Sequence, residues 1–212
     1  MSKAIETNYN GYRFRSRLEA RWAVFFDALG VQYEYEKEGY ELGDVGRYLP
    51  DFWLPDVHGG LWVEIKPGSP TAEEIRKMEV LTEHTGESGI FRTSDPATHV
   101  LWTQQDSKAQ DAIHYDDLGW FADGMQQDVG YSFCECPWCG KIGLAFEGRG
   151  ERVCGWPAHY ETEREAALAL HRTYDKADRC FTGASHRMLQ AAKESRSARF
   201  EHGEQPRYSL WR

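Results

Sequence analysis

The chain has 212 residues, 41% of them hydrophobic and 14% aromatic. That is enough apolar material for a packed core, which excludes wholesale disorder and suits one domain, with or without an appendage. The formal net charge of −9 excludes a protein that coats nucleic acid through bulk positive charge, although local basic stretches such as Arg13, Arg15, Arg17 and Arg21 can still meet phosphate.

No stretch approaches the roughly 20 apolar residues that span a bilayer, and residues 1–6 lack the apolar core of a signal peptide. A cytoplasmic protein without membrane partners is therefore expected. In that reducing compartment the five cysteines are expected to be metal ligands or thiols rather than disulfides.

In chain order, Leu18, Trp22, Phe25 and Leu29 fall at helical spacing and predict a helix over 16–29, with Ser16 as N-cap and Gly30 as stop. Residues 31–36 alternate and predict a strand. A turn at 43–46 leads to a second strand over 48–54, and turn residues at 55–60 lead to a third over 61–66. Pro67 and Gly68 end that strand. A helix follows over 71–84, with Ile75, Met78 and Leu81 or Thr82 on one side, and short strands are predicted at 89–92 and 99–102. The order predicts a mixed α/β domain over 1–105. Residues 106–130 read as an acidic linker, since 104–128 hold six aspartates against one lysine. Residues 131–160 are cysteine-rich. The remainder, 161–212, reads as helical, with helices at 161–174 and 184–200.

The chemistry is concentrated in the second and third strands. A hairpin centred near Val57 and His58 sets residue i opposite 115 − i, which places Asp51 across from Glu64. Opposed side chains share one face with Cβ atoms about 5 Å apart. Lys66, two residues on, projects from that same face. Two carboxylates that close are costly without a cation between them. Mg²⁺ prefers carboxylate and carbonyl oxygens, so Asp51, Glu64 and the Ile65 carbonyl form a candidate half-shell. Lys66 is placed to orient a water or to neutralise charge on phosphate. Glu19 borders the apolar face of the first helix and can look toward the sheet. Taken singly, each residue also fits a plainer role: Asp51 a turn residue, Glu64 and Lys66 a solvated strand face, Glu19 the partner of Ser16 in a capping box.

The runs Ser16-Arg17-Leu18-Glu19, Tyr33-Glu34-Tyr35-Glu36, Pro50-Asp51-Phe52-Trp53-Leu54-Pro55 and Val63-Glu64-Ile65-Lys66, in this order, resemble the PD-(D/E)XK nuclease superfamily. Within it, the layout over residues 12–103 is similar to the phage junction-resolving endonucleases. The resemblance implies a restriction-endonuclease-like core of helix, three-stranded mixed sheet, helix and strand. It implies a divalent metal, Mg²⁺ or Mn²⁺, held by Asp51 and Glu64 with help from Glu19, and Lys66 as a catalytic group. The implied reaction is hydrolysis of phosphodiester bonds in DNA. Pro67 stands where relatives often carry glycine or a polar residue.

Further on, Cys136-x-x-Cys139-Gly140 is a knuckle whose two thiolates can grip one ion. Cys154 follows after a segment read as a hairpin of 141–146 with 151–153, and His159 lies five residues beyond Cys154. This spacing is near that of small structural zinc sites and resembles a zinc ribbon. Cys134 and Cys180 are alternatives to His159 as fourth ligand. On the helix at 184–200, Lys193, Arg196 and Arg199 step by three and can track phosphates alongside Arg13, Arg15 and Arg17. His202 and Glu204 lie in a run, 196–204, with no assigned role.

These readings point to a metal-dependent DNA endonuclease, with branched or junction DNA favoured by analogy, and a homodimer is attractive because such substrates have two strands to cut. A nicking or trimming nuclease on duplex or single-stranded DNA is the second reading. A non-catalytic protein of nuclease-like fold that occupies a host or replication partner is the third.

Overall fold

The structure, a computed structural model, describes residues 4–97, 119–120, 131–135, 140–146 and 185–200. It is a mixed α/β architecture with three α-helices among the described residues.

The chain opens with a hairpin, β1 (Thr7–Tyr9) and β2 (Tyr12–Phe14), paired antiparallel. Its two-residue loop is Asn10-Gly11, both with positive φ, at 47° and 83°. Both central residues in the left-handed region is the signature of a type I′ turn, whose twist matches the flanking strands. Helix α1 (Arg17–Ala28) follows. Its N-cap is Ser16, whose hydroxyl accepts from the Glu19 amide, and Gly30 past its end adopts φ 63°.

The sequence spacing put one apolar face on this helix, but α1 is buried nearly all round. Ala20, Trp22, Ala23, Val24, Phe25, Phe26 and Ala28 are all buried. A helix apolar on every side must be covered on every side. The sheet covers one side. On another lie the strands β10 (Tyr131–Glu135) and β11 (Ile142–Phe146) and the helix α3 (His186–Ser197), which add Phe133, Ile142, Leu144, Met188, Ala191 and Ala192 to the same core.

Among the described residues the main sheet has five strands, in the order β3 (Glu34–Tyr35), β6 (Phe52–Leu54), β7 (Leu61–Ile65), β8 (Ser88–Arg92), β9 (Gly119–Trp120). The pairs β3–β6, β6–β7 and β8–β9 are antiparallel; β7–β8 is parallel, joined through helix α2 (Ala72–Thr85). A parallel pair needs such a crossover. Alternate residues of each strand serve opposite faces. Phe52, Leu54, Leu61, Val63, Ile65 and Ile90 join the α1 core, while Trp62 and Phe91 join Met78 and Leu81 of α2 in a second cluster. Each fully buried large side chain contributes about 1.5–3 kcal/mol.

Two expected elements differ. The strand over 48–54 is interrupted: β5 (Arg47–Tyr48) pairs with β4 (Tyr40–Glu41) in a separate ribbon, and only Phe52–Leu54 enters the main sheet. The strand over 31–36 shortens to Glu34–Tyr35, and Glu36, at φ 46°, ends it. Of the hairpin expected between 141–146 and 151–153, the first arm forms β11, which pairs with β10 from Tyr131↔Phe146 to Glu135↔Ile142. Residues 151–153 lie outside the described residues, as do the strand at 99–102 and the helix at 161–174. The acidic stretch read as a linker supplies the strand β9, which pairs with β8.

Candidate active site

Asp51 and Glu64 meet at one end of the sheet. The observed register, Phe52↔Val63, Trp53↔Trp62 and Leu54↔Leu61, is the one in which paired numbers sum to 115, so the next pair along would be Asp51 and Glu64. Side-chain bonds close the end of the ladder. The Asp51 amide donates to Glu64 Oε2 at 3.3 Å, and the Ile65 amide donates to Asp51 Oδ2 at 2.7 Å. Both carboxylates are 5% exposed. Lys66 Nζ lies 2.8 Å from Glu64 Oε1 and 2.9 Å from Glu74 Oε1.

The charges follow from this geometry. Burial, with the facing Glu64 and then Glu19 adding to it, pushes the Asp51 carboxyl well above the usual carboxylate range, against the pull of the Ile65 amide and Lys66. Burial also raises Glu64, although Lys66, Tyr48 and the Asp51 amide all favour its charged form. For Lys66, burial acts to lower its pKa, but Glu64 and Glu74 outweigh burial and raise it, so the lysine is a firm cation. The pair of carboxyls holds protons more tightly than two exposed ones.

Glu19 approaches from the α1 side. It is 6% exposed, and its carboxylate accepts from the Arg15 amide at 3.0 Å, the Ser16 hydroxyl at 2.6 Å and the Tyr35 hydroxyl at 2.6 Å. It does more than cap a helix, since the Tyr35 hydroxyl and the Arg15 amide hold the same carboxylate.

Two further residues belong to the site. Tyr48, buried, donates its hydroxyl to Glu64 Oε2 at 3.1 Å, and burial and Glu64 push its pKa well up. Its alternating neighbours gave no hint of this, because β5 lies in a different ribbon from Asp51. Glu74 completes a capping box with Thr71 while also holding Lys66. The Thr71-x-x-Glu74 pattern was readable as a helix start; its contact with Lys66 depends on how α2 lies on the sheet.

The residues suit a hard divalent cation. Asp51 Oδ2 is engaged by the Ile65 amide, while Oδ1 meets no hydrogen-bond donor among the described residues. Among the described residues no three His, Cys, Asp or Glu side chains converge as a ready-made cage. Two carboxylates that leave the other positions to water and substrate are the usual way Mg²⁺ is held.

The expected DNA-contacting side chains are exposed. Arg13 pairs with Glu6 and Arg15 with Glu36, both at exposed positions, and Arg17 is exposed at the first turn of α1. Lys193 and Arg196 on α3 and Arg199 just past it are exposed too. Cys136, Cys139, Cys154, His159, Cys180, His202 and Glu204 lie outside the described residues. Cys134 is buried in β10 with its Sγ 3.8 Å from the Gly143 carbonyl oxygen. No helix among the described residues is long and apolar enough to cross a membrane.

Compared with family models, curated proteins and solved structures, the chain matches none.

Proposed function

We propose that the chain is a metal-dependent endonuclease that hydrolyses phosphodiester bonds in DNA. The observation that carries this reading is the juxtaposition of two buried, opposed carboxylates, Asp51 and Glu64, with the Lys66 ammonium 2.8 Å from one of them. An uncompensated buried pair of like charges is costly, so a site that retains one is suited to a cation. Asp51, Glu64 and the Ile65 carbonyl would hold Mg²⁺ or Mn²⁺. When bound, such an ion lowers the pKa of water and stabilises charge on phosphate.

The chain's own groups do the rest. The Ile65 amide fixes the Asp51 carboxylate, and the Tyr48 hydroxyl fixes that of Glu64. Lys66, kept protonated by its carboxylate neighbours, would donate to the phosphate or orient the attacking water. Glu19 would add negative charge beside Asp51 and strengthen the attraction for a cation. DNA as the substrate, and branched DNA in particular, rests on the likeness of the Leu-Glu, Pro-Asp and Glu-x-Lys runs to PD-(D/E)XK nucleases. A structural Zn²⁺ on Cys136, Cys139, Cys154 and His159, and a homodimer, belong to the same proposal.

The test is cleavage of labelled linear, single-stranded, nicked and four-way-junction DNA with Mg²⁺, with EDTA, and by Asp51→Ala. Metal-dependent cutting that Asp51→Ala loses by 10²-fold or more, on the order expected when a charge-stabilising group is removed, is the expected outcome. Folded protein that cuts none of these with Mg²⁺ or Mn²⁺ would sink the nuclease reading in favour of a binding protein.

A further inference from the structure

Resting on that nuclease reading, we propose that Glu74 is a positioning residue that keeps the Lys66 ammonium at the reaction centre when Glu64 is engaged by a cation. The two oxygens of Glu74 are divided between two tasks. Oε2 accepts from the Thr71 amide at 2.7 Å and the Thr71 hydroxyl at 3.0 Å, while Oε1 takes Lys66 Nζ at 2.9 Å. The first set is a capping box, closed from the other side by the Glu74 amide on Thr71 Oγ1 at 3.3 Å. Glu74 is therefore held by the helix start and does not depend on Lys66 for its place.

Glu64 is divided differently. Its Oε2 is occupied by the Tyr48 hydroxyl and the Asp51 amide, which leaves Oε1 as the oxygen that Lys66 uses. A cation at Asp51 and Glu64 would draw on that same oxygen and would repel the ammonium at short range. Lysine is a flexible stem carrying a strongly hydrated charge, and the Lys66 side chain is already 23% exposed, so a path to water is open. Glu74 is the remaining anchor, tied to the start of α2 rather than to the metal ligands.

Glu74→Gln tests this, because glutamine still serves a capping box but carries no charge for the lysine. The expected result is a fall in kcat of about 10- to 100-fold, the scale of a misplaced catalytic group, with KM and Tm close to wild type. The second readout is the Lys66 side-chain ammonium signal in nitrogen-15 NMR, assigned by its loss in Lys66→Arg. It is expected to persist through Mg²⁺ saturation in wild type and to vanish in Glu74→Gln. Unchanged kcat in Glu74→Gln beside an active wild type overturns the role of Glu74 alone, as does an ammonium signal that Mg²⁺ abolishes in wild type. Absence of cleavage by wild type overturns the nuclease reading and this inference with it.

Discussion

Asp51 and Glu64 are retained at a cost that sets the pH behaviour of the fold. Each has a folded-state pKa above its unfolded value, chiefly through burial. A group shifted that way stabilises the fold fully below its unfolded pKa, about 4 for a carboxylate, and that contribution is lost as pH rises through the folded value. Asp51→Asn keeps an acceptor for the Ile65 amide and removes the charge. In chelator, the Tm of Asp51→Asn is expected to exceed that of wild type, with a gap that widens from about pH 4 to pH 8. A gap that stays constant or reverses with pH would refute the raised Asp51. Mg²⁺ is expected to narrow the gap by stabilising wild type alone. At this scale the candidate site was largely legible: Asp51, Glu64 and Lys66 follow from hairpin arithmetic. Tyr48 was not, because the chain leaves one ribbon and enters another between Tyr48 and Phe52, and no periodicity spans that break.

The β6–β7 hairpin is the element that delivers both carboxylates, and its loop must hold the register. Gly60 sits there at φ 127°, where a methyl group would overlap Trp53 Cη2 and Glu87 Oε2. Gly60→Ala therefore meets both backbone strain and a clash, and is expected to lower stability by roughly 1–3 kcal/mol in chemical denaturation. Cleavage should fall in the fraction that remains folded, since a slipped strand turns Glu64 to the wrong face. An alanine variant with wild-type stability would show that the loop is slacker than its geometry implies. The helices show the same division of legibility. Ser16 and Gly30 mark the ends of α1 by local chemistry alone, and so do Thr71 and Gly86 for α2. The hairpin β1–β2 carried an equally local signal, Asn10-Gly11, which the reading by hydrophobic periodicity passed over because its strands are only three residues long.

At the scale of the molecule, packing crosses the divisions drawn from composition. Phe133 of β10 is buried against Trp22, Phe25 and Phe26, with ring centroids 5.8, 6.5 and 5.7 Å away, and the Arg92 guanidinium lies 5.3 Å from its ring. Arg187 at the start of α3 donates to Glu135, to the Gly140 carbonyl and to the Leu29 carbonyl at the end of α1. The residues after 130 thus complete the cover of α1. Phe133→Ala is expected to cost about 3–5 kcal/mol, and a chain cut at residue 105 should fail to give a cooperative unfolding transition. A well-folded 1–105 fragment would contradict this packing. In the sequence, Cys136 and Cys139 of the proposed zinc site fall between β10 and β11. Metal analysis of purified protein is expected to find about one zinc per chain, by the tetrahedral four-ligand arithmetic of such sites, and its removal should lower Tm. Zinc-free protein with an unchanged Tm would refute it.

What the sequence determined by itself is what short-range chemistry dictates: the caps of α1 and α2, the turns, and the hairpin register whose continuation sets Asp51 beside Glu64. Those depend on residues a few positions apart, where backbone geometry leaves few choices. The tertiary structure alone decided that α1 is buried on nearly all sides, that β10 pairs with β11, and that Tyr48 and Glu74 reach the Asp51–Glu64–Lys66 cluster from two different elements. Such contacts join residues distant in the chain. They are selected by the joint packing of the whole core, which no local pattern encodes.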